Sequence, residues 1–309
     1  IVMNNFYYNN ITNEMELERL FGSYLAGLWE GDGHISLVKK NNNTIQPVFS
    51  ITFNSKDLPL ATKLMNILGG TIQKGAENQN WVRLNIRQRQ QLVKIVTLLN
   101  GKIRTPKIYE FNNLIGFLNS VLNLTIPIYS PDQSFLSTNA WLAGFIDADG
   151  SFKVRVTEKK INPLNNKIIQ KGRFAVQFII EQRLVHSKTN DSFYPVFEQI
   201  AKFFTISNEV ILPITYKTHN ISKKYLCINV FSLPRLNLLS NYLSFYPLLT
   251  AKQNDFVDWS KVLYLMTNRT NHIFTLEDKE YFREIKSKMN RKRKIINWDH
   301  IKVLDIINL

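Results

Sequence analysis

The chain contains an imperfect copy of itself, and a missed duplication would misassign everything downstream. Tyr24-Leu25-Ala26-Gly27-Leu28-Trp29-Glu30-Gly31-Asp32-Gly33 recurs as Trp141-Leu142-Ala143-Gly144-Phe145-Ile146-Asp147-Ala148-Asp149-Gly150. Further along, Trp81–Ile86 resembles Tyr225–Val230, and Thr105-Pro106-Lys107 lines up with Thr250-Ala251-Lys252. The order is kept. The second copy is longer inside, with room for the extra residues around Lys159–Lys171 and Arg183–Ser192. The expected organisation is a first domain over 1–124, a linker over 125–136 carrying Pro127 and Pro131, and a second domain over 137–309 with a basic tail.

Each copy has the same periodicity. An apolar helix stops at Asp-Gly, where glycine is expected to supply a left-handed helix end. Period-2 alternation then predicts strands over His34–Lys40 and Val48–Phe53, matched by Ser151–Val156 and Arg173–Ile180. Helices are expected near Asp57–Leu68 and Phe193–Phe204. A second strand pair follows in each copy, Thr71–Lys74 with Trp81–Arg87 and Val210–Tyr216 with Tyr225–Phe231. Helices near Gln88–Leu99 and Leu233–Leu243 close the copies, and another follows each Thr-x-Lys. The fold class is α+β, with two pseudo-symmetric αββαββα domains. Gly27 and Gly31, like Gly144 and Ala148, lie four apart on one helix face, so the two motif helices are expected to meet closely between the domains.

Charge narrows the function. Lys and Arg number 39 against 24 Asp and Glu, a net charge of +15, which points to nucleic acid or an anionic surface. A membrane span is not expected, because the longest uncharged stretch, Phe111–Tyr129, is interrupted by four Asn and Pro127. Ile1–Asn13 has no basic n-region or long apolar core, so no secretory leader is expected there. The aromatic content of 12% excludes dominant disorder. Cys227 is the only cysteine and the five histidines are scattered, which leaves neither a disulfide framework nor a zinc cluster. Asn, Ile, Lys, Phe and Tyr make up roughly 40% of the chain, well above ordinary usage, as AT-rich coding produces.

The alternation also marks an outward face rich in groups that reach phosphates and base edges. Its members are Ser36, Lys40, Gln46, Ser50, Arg83, Asn85 and Arg87 in the first copy, and Lys153, Arg155, Arg173, Gln177 and Asn229 in the second. If the motif helices end together, Asp32 and Asp149 lie side by side. Two carboxylates that close repel, and hard oxygen ligands of this kind favour Mg²⁺.

These paired motifs resemble the LAGLIDADG homing endonuclease family in its single-chain, two-motif form. The second motif departs from the family name only at Phe145; the first differs at Trp29, Glu30 and Gly31. The resemblance implies two antiparallel sheets forming a saddle on double-stranded DNA, with one cut per strand at a long pseudo-palindromic site and short 3′ overhangs. It implies that Asp32 and Asp149 bind the catalytic metals, while Glu30 and Asp147 occupy a structural position. It also places Lys107 and Lys252 near the scissile phosphates and suggests Gln182 and Asn54 as water-organising residues. Mg²⁺ is the implied cofactor, Mn²⁺ an expected substitute, and Ca²⁺ is expected to support binding without fast cleavage. A monomer encoded in an organelle, most simply the mitochondrion, is expected. Two alternatives remain: a maturase acting on its own intron RNA, and a DNA-binding relative that has lost cleavage.

Overall fold

The computed structural model describes residues 14–39, 45–206, 210–220, 223–269 and 274–307. In the first half, α1 (Glu14–Asp32) runs directly into β1 (Gly33–Lys39) and β2 (Ile45–Asn54). Then come α2 (Leu58–Leu68), β3 (Thr71–Lys74), β4 (Trp81–Ile86), α3 (Arg89–Leu99) and α4 (Ile108–Leu122). No helix or strand occupies the residues between Leu122 and Leu136. The second half opens with α5 (Trp141–Asp149) and β5 (Gly150–Thr157). A short hairpin, β6 (Lys160–Ile161) with β7 (Ile168–Gln170), fills the insertion that follows. The repeated order then resumes with β8 (Arg173–Arg183), α6 (Tyr194–Phe203), β9 (Ile214–Asn220), β10 (Lys223–Val230), α7 (Leu233–Phe245) and α8 (Lys252–Thr267). A final helix, α9 (Leu276–Lys288), leads into 3₁₀ turns at Asn290–Lys292 and Asp299–Ile306.

The predicted hairpins pair a second time. Strand β2 also pairs with β4, and β8 with β10, so each half holds one four-stranded antiparallel sheet. The orders, β1-β2-β4-β3 and β5-β8-β10-β9, correspond strand for strand. One face of each sheet is apolar and lies on the helices. Trp29 stacks on Phe49 with ring centroids 5.6 Å apart, and Phe152 meets Phe178 and Trp259 at 5.4 and 5.1 Å. A single buried cluster joins both halves through Tyr24, Leu25 and Leu28 of α1 and Trp141, Leu142 and Phe145 of α5. Among the described residues, no helix is long and apolar enough to cross a membrane.

The small residues of the motif do what their spacing predicts. A Cβ built on Gly27 would overlap the carbonyl oxygen of Trp141, and one on Gly144 would overlap that of Tyr24. Gly31 faces the Cβ of Ala148 at the same seam. The expectation for the glycine that follows each motif is corrected. Gly150 has φ −83° and ψ 156°, an extended residue, and Gly33 likewise begins a strand instead of capping a helix in the left-handed region. Glycine is needed there for space: a Cβ would collide with the Trp29 indole at Gly33 and with the Ile146 carbonyl at Gly150.

Candidate active site and nucleic-acid face

The site begins with the ends of α1 and α5. The last carbonyls of a helix have no intrahelical partner, and a cation beside them is favourable. Neither helix has a basic residue in its last turn, so each takes a lysine from another element. Lys107, just before α4, donates from Nζ to Gly33 O at 2.7 Å and to Trp29 O and Gly31 O at 3.3 Å. Lys252, opening α8, donates to Ile146 O at 2.7 Å and Asp147 O at 2.8 Å.

Glu30 and Asp147 fix those lysines in place. Glu30 accepts the Thr105 and Arg104 N–H groups at 2.5 and 2.9 Å and the Trp141 indole N–H at 2.6 Å. Asp147 accepts Leu249 N–H at 2.7 Å, the Thr250 hydroxyl at 2.5 Å and the Tyr24 hydroxyl at 2.7 Å. Each of these acids therefore ties its own Thr-x-Lys segment to the first aromatic of the opposite motif.

The final acids are left for other work. Asp149 is half-buried and, among the described residues, accepts one hydrogen bond, from Gln182 Nε2 at 2.7 Å. Burial, then the charge of Asp32, pushes its pKa up to about 7, against the pull of Lys107 and Lys252. Asp32 is open to solvent on its cleft side, yet the protein packed around the rest of it raises its pKa too. Burial holds both lysines below their ordinary range, while neighbouring acids favour their charged forms. Four ionisable groups thus sit where neither all-charged nor all-neutral is comfortable.

A cleft of about 820 Å³ opens on the Asp32 side and includes Asn54, Lys56, Asp57, Lys252 and Lys286. Asn54 is in this cleft, but its Oδ1 accepts Lys56 N–H at 3.2 Å, capping the turn after β2. Gln182 alone of the two predicted water-organising residues touches a motif acid. Asp57 was not singled out in the sequence. Its Oδ1 accepts Ala251 N–H at 2.7 Å, tying the first half to the start of α8, and burial raises its pKa to about 6. An Asp beside a turn carries no signal of such a long-range partner.

The outward face of the sheets is only partly open. Arg87, Lys153, Arg155 and Arg173 are exposed, and Ser36, Gln46, Arg83 and Asn229 are half-buried. Ser50, Asn85 and Gln177 lie on the outward side by parity, but the expectation that they stand free is corrected: all three are buried. Ser50 donates to Asn85 Oδ1 at 2.8 Å, and Gln177 donates to Asn229 Oδ1 at 3.0 Å. In mid-sheet these polar side chains pair across strands, although the Gln177 Oε1 is buried without a hydrogen-bond partner. Lys40 lies outside the described residues.

Removing one lysine has two expected consequences. Lys252→Met leaves helix-end carbonyls without their donor and should cost about 1–3 kcal/mol in thermal denaturation. It also removes a charge that lowers the Asp149 pKa, so a carboxyl ¹³C titration should find that group above the value of about 7 in the intact site.

A family model described as LAGLIDADG endonuclease matches residues 25–118 and 142–263. The chain is 30% identical to the intron-encoded DNA endonuclease aI3 of Saccharomyces cerevisiae, covering 97% of this chain and 76% of that protein. It is 31% identical to an uncharacterized cox1 intron-2 protein of Schizosaccharomyces pombe, over 56% of this chain and 54% of that one. Among solved structures, the I-SmaMI LAGLIDADG homing endonuclease bound to cleaved DNA superposes with a TM-score of 0.65 at 20% identity, covering 88% of this chain and 98% of that one.

Proposed function

We propose that this chain, which belongs to the LAGLIDADG endonuclease family, cuts both strands of double-stranded DNA at one long, asymmetric site, leaving short 3′ overhangs. The observation that carries the reading is the duplicated centre: two motif acids at adjoining helix ends, each half with its own Thr-x-Lys lysine. A duplicated centre suits a substrate with two similar scissile bonds. The exposed arginines and lysines of both sheets suit its phosphates, and diverged copies suit a target that is only loosely palindromic. Because one polypeptide supplies both acids, the chain is expected to act as a monomer.

The donor set fits Mg²⁺. Asp32 and Asp149 offer hard oxygens, and their mutual repulsion is relieved by a cation between them. Among the described residues, no group of three or more His, Cys, Asp or Glu side chains could enclose a metal, which leaves positions for water and phosphate oxygens. When bound there, Mg²⁺ supplies a water of lowered pKa and neutralises charge on the phosphate and the leaving oxygen. The chain's own residues do the rest. Gln182 holds the Asp149 carboxylate in one orientation, and Lys107 and Lys252 keep positive charge beside both acids. Mn²⁺ should substitute, while Ca²⁺ should support binding without fast turnover. AT-rich composition, with intron-encoded relatives, supports an organellar intron, most simply mitochondrial, as the gene's location.

The test is selection from a random duplex pool in Ca²⁺, followed by Mg²⁺ addition to the enriched duplexes. A long site cut on both strands is the expected result. A long site bound but never cut would replace the nuclease with a DNA binder. No enrichment would turn attention to the intron RNA.

A further inference from the structure

We infer that the segment from Lys286 to Lys292 is a phosphate-binding wall belonging to only one of the two centres, the one formed by Asp32 and Lys252. The inference rests on the endonuclease reading and adds an asymmetry that the duplicated motifs do not contain.

The two centres are finished by unrelated parts of the chain. β1 and β5 are edge strands that start at the motif acids, and the carbonyls of Ile35 and Phe152 hold equivalent places on them. Glu110 and Asp255, each three residues after its lysine, are likewise equivalent. In the first half, Lys188 from the loop after β8 lies 3.4 Å from Ile35 O and 2.8 Å from Glu110 Oε1. In the second, Asn290 fills that place: its Nδ2 donates to Phe152 O at 3.1 Å and its backbone N–H to Asp255 Oδ1 at 3.0 Å.

The charge balance at the two places differs. Lys188 is paired with Glu110. On the other side, Arg293 neutralises Asp255 at 2.7 Å and Asp258 at 2.6 Å. That leaves Arg291 and Lys292 exposed, with no side-chain hydrogen bond or ion pair among the described residues, on the wall of the cleft that contains Asp32 and Lys252. Lys286, also exposed, donates to the Val156 carbonyl at 3.2 Å, with Glu158 near enough to feel its charge, and Lys153 stands at the same rim. Asp57, Asp147 and Asp255 of the same cleft already hold partners of their own, so the exposed cations of the wall repel one another and are suited to an anion between them. The segment is also held in advance. Further along, His300 Nε2 lies 3.1 Å from both Leu249 O and Thr250 O, and Asp305 pairs with Lys63 of the first half. A prepositioned cationic wall beside a phosphodiester site fits the sugar–phosphate backbone flanking the bond cut there.

The test uses the full chain carrying K286Q, R291Q and K292Q together, with the charge-preserving K286R/R291K/K292R as rescue. All three positions are exposed, so folding should be unaffected, and thermal denaturation checks this. Duplex binding in Ca²⁺ is measured against salt, and strand-specific cleavage in Mg²⁺ is followed on a duplex labelled at both 5′ ends. The slope of log affinity against log salt should become shallower by about 2–3, at roughly 0.9 for each phosphate no longer neutralised. One strand should be cut about tenfold more slowly and the other within about twofold, from misplacement of a single scissile bond. The rescue variant should restore both readouts. An unchanged salt slope, or equal slowing of both strands, would overturn the inference. If wild type binds duplex but cuts nothing, the endonuclease reading fails instead, and the salt slope alone then decides for or against the wall.

Discussion

Asp149→Asn is expected to lower double-strand cleavage by more than about 10³-fold while leaving Ca²⁺-supported DNA binding within a few-fold of wild type. The substitution keeps the shape of the side chain and an oxygen for Gln182 Nε2, 2.7 Å away in the intact site. What it removes is the charge. Asp32→Asn should behave the same way, because both acids belong to one cluster. Stability should move in the opposite direction to activity. The Asp149 pKa is raised to about 7 by burial and by Asp32, so the folded state binds its proton more tightly than the unfolded chain does. A carboxyl of this kind withdraws stability as pH rises from its unfolded value near 4 through its folded value. Asn does not titrate. In metal-free buffer, Asp149→Asn should therefore match wild type at about pH 4 and exceed it by about 2–4 kcal/mol above about pH 7. Thermal melts across that range decide it. A variant that cuts DNA at the wild-type rate would remove Asp149 from the chemistry, and equal melting at pH 8 would show that its ionisation carries no strain.

The largest effect on stability should come from a single methyl group. Gly27→Ala places a Cβ on the carbonyl oxygen of Trp141, which is backbone and has no rotamer into which to retreat. The two motif helices must separate, and with them the Glu30–Trp141 and Asp147–Tyr24 hydrogen bonds at 2.6 and 2.7 Å that cross the seam. A loss of more than about 3 kcal/mol is expected, beyond ordinary overpacking because no side chain can yield. Gly116→Ala, on the exposed face of helix α4 with nothing within 4 Å of the added Cβ, is the control and should stabilise by up to about 1 kcal/mol. Denaturant melts of the two variants separate a specific backbone seam from a general intolerance of alanine. Activity should fall with Gly27→Ala as well, because Asp32 and Asp149 owe their approach to that seam.

Much of this protein was legible because it is written twice. One apolar helix ending in Asp-Gly is an ordinary core helix, but two of them, each leading into an alternating strand and followed later by Thr-x-Lys, single out Asp32, Asp149, Lys107 and Lys252. Strand period gave the two faces of each sheet, and small residues four apart gave the helix contact. These are local patterns, repeated by a chain whose pleat and helical pitch are fixed. Three things were decided only by the tertiary structure. Parity told which side Ser50, Asn85 and Gln177 occupy, whereas their burial depends on how far neighbouring side chains reach over them. Gly33 and Gly150 look like left-handed helix ends in sequence, yet their need is for space against Trp29 and Ile146, four residues back, a contact set by the backbone turning straight from helix into strand. Asp57, Lys188 and Asn290 take partners far away in the chain, and no periodicity encodes which loop arrives at a given carbonyl. The sequence by itself therefore determined the repeated frame and its acids. The packing of non-repeated segments decided what surrounds each acid, because burial and charge pairing are properties of neighbours in space.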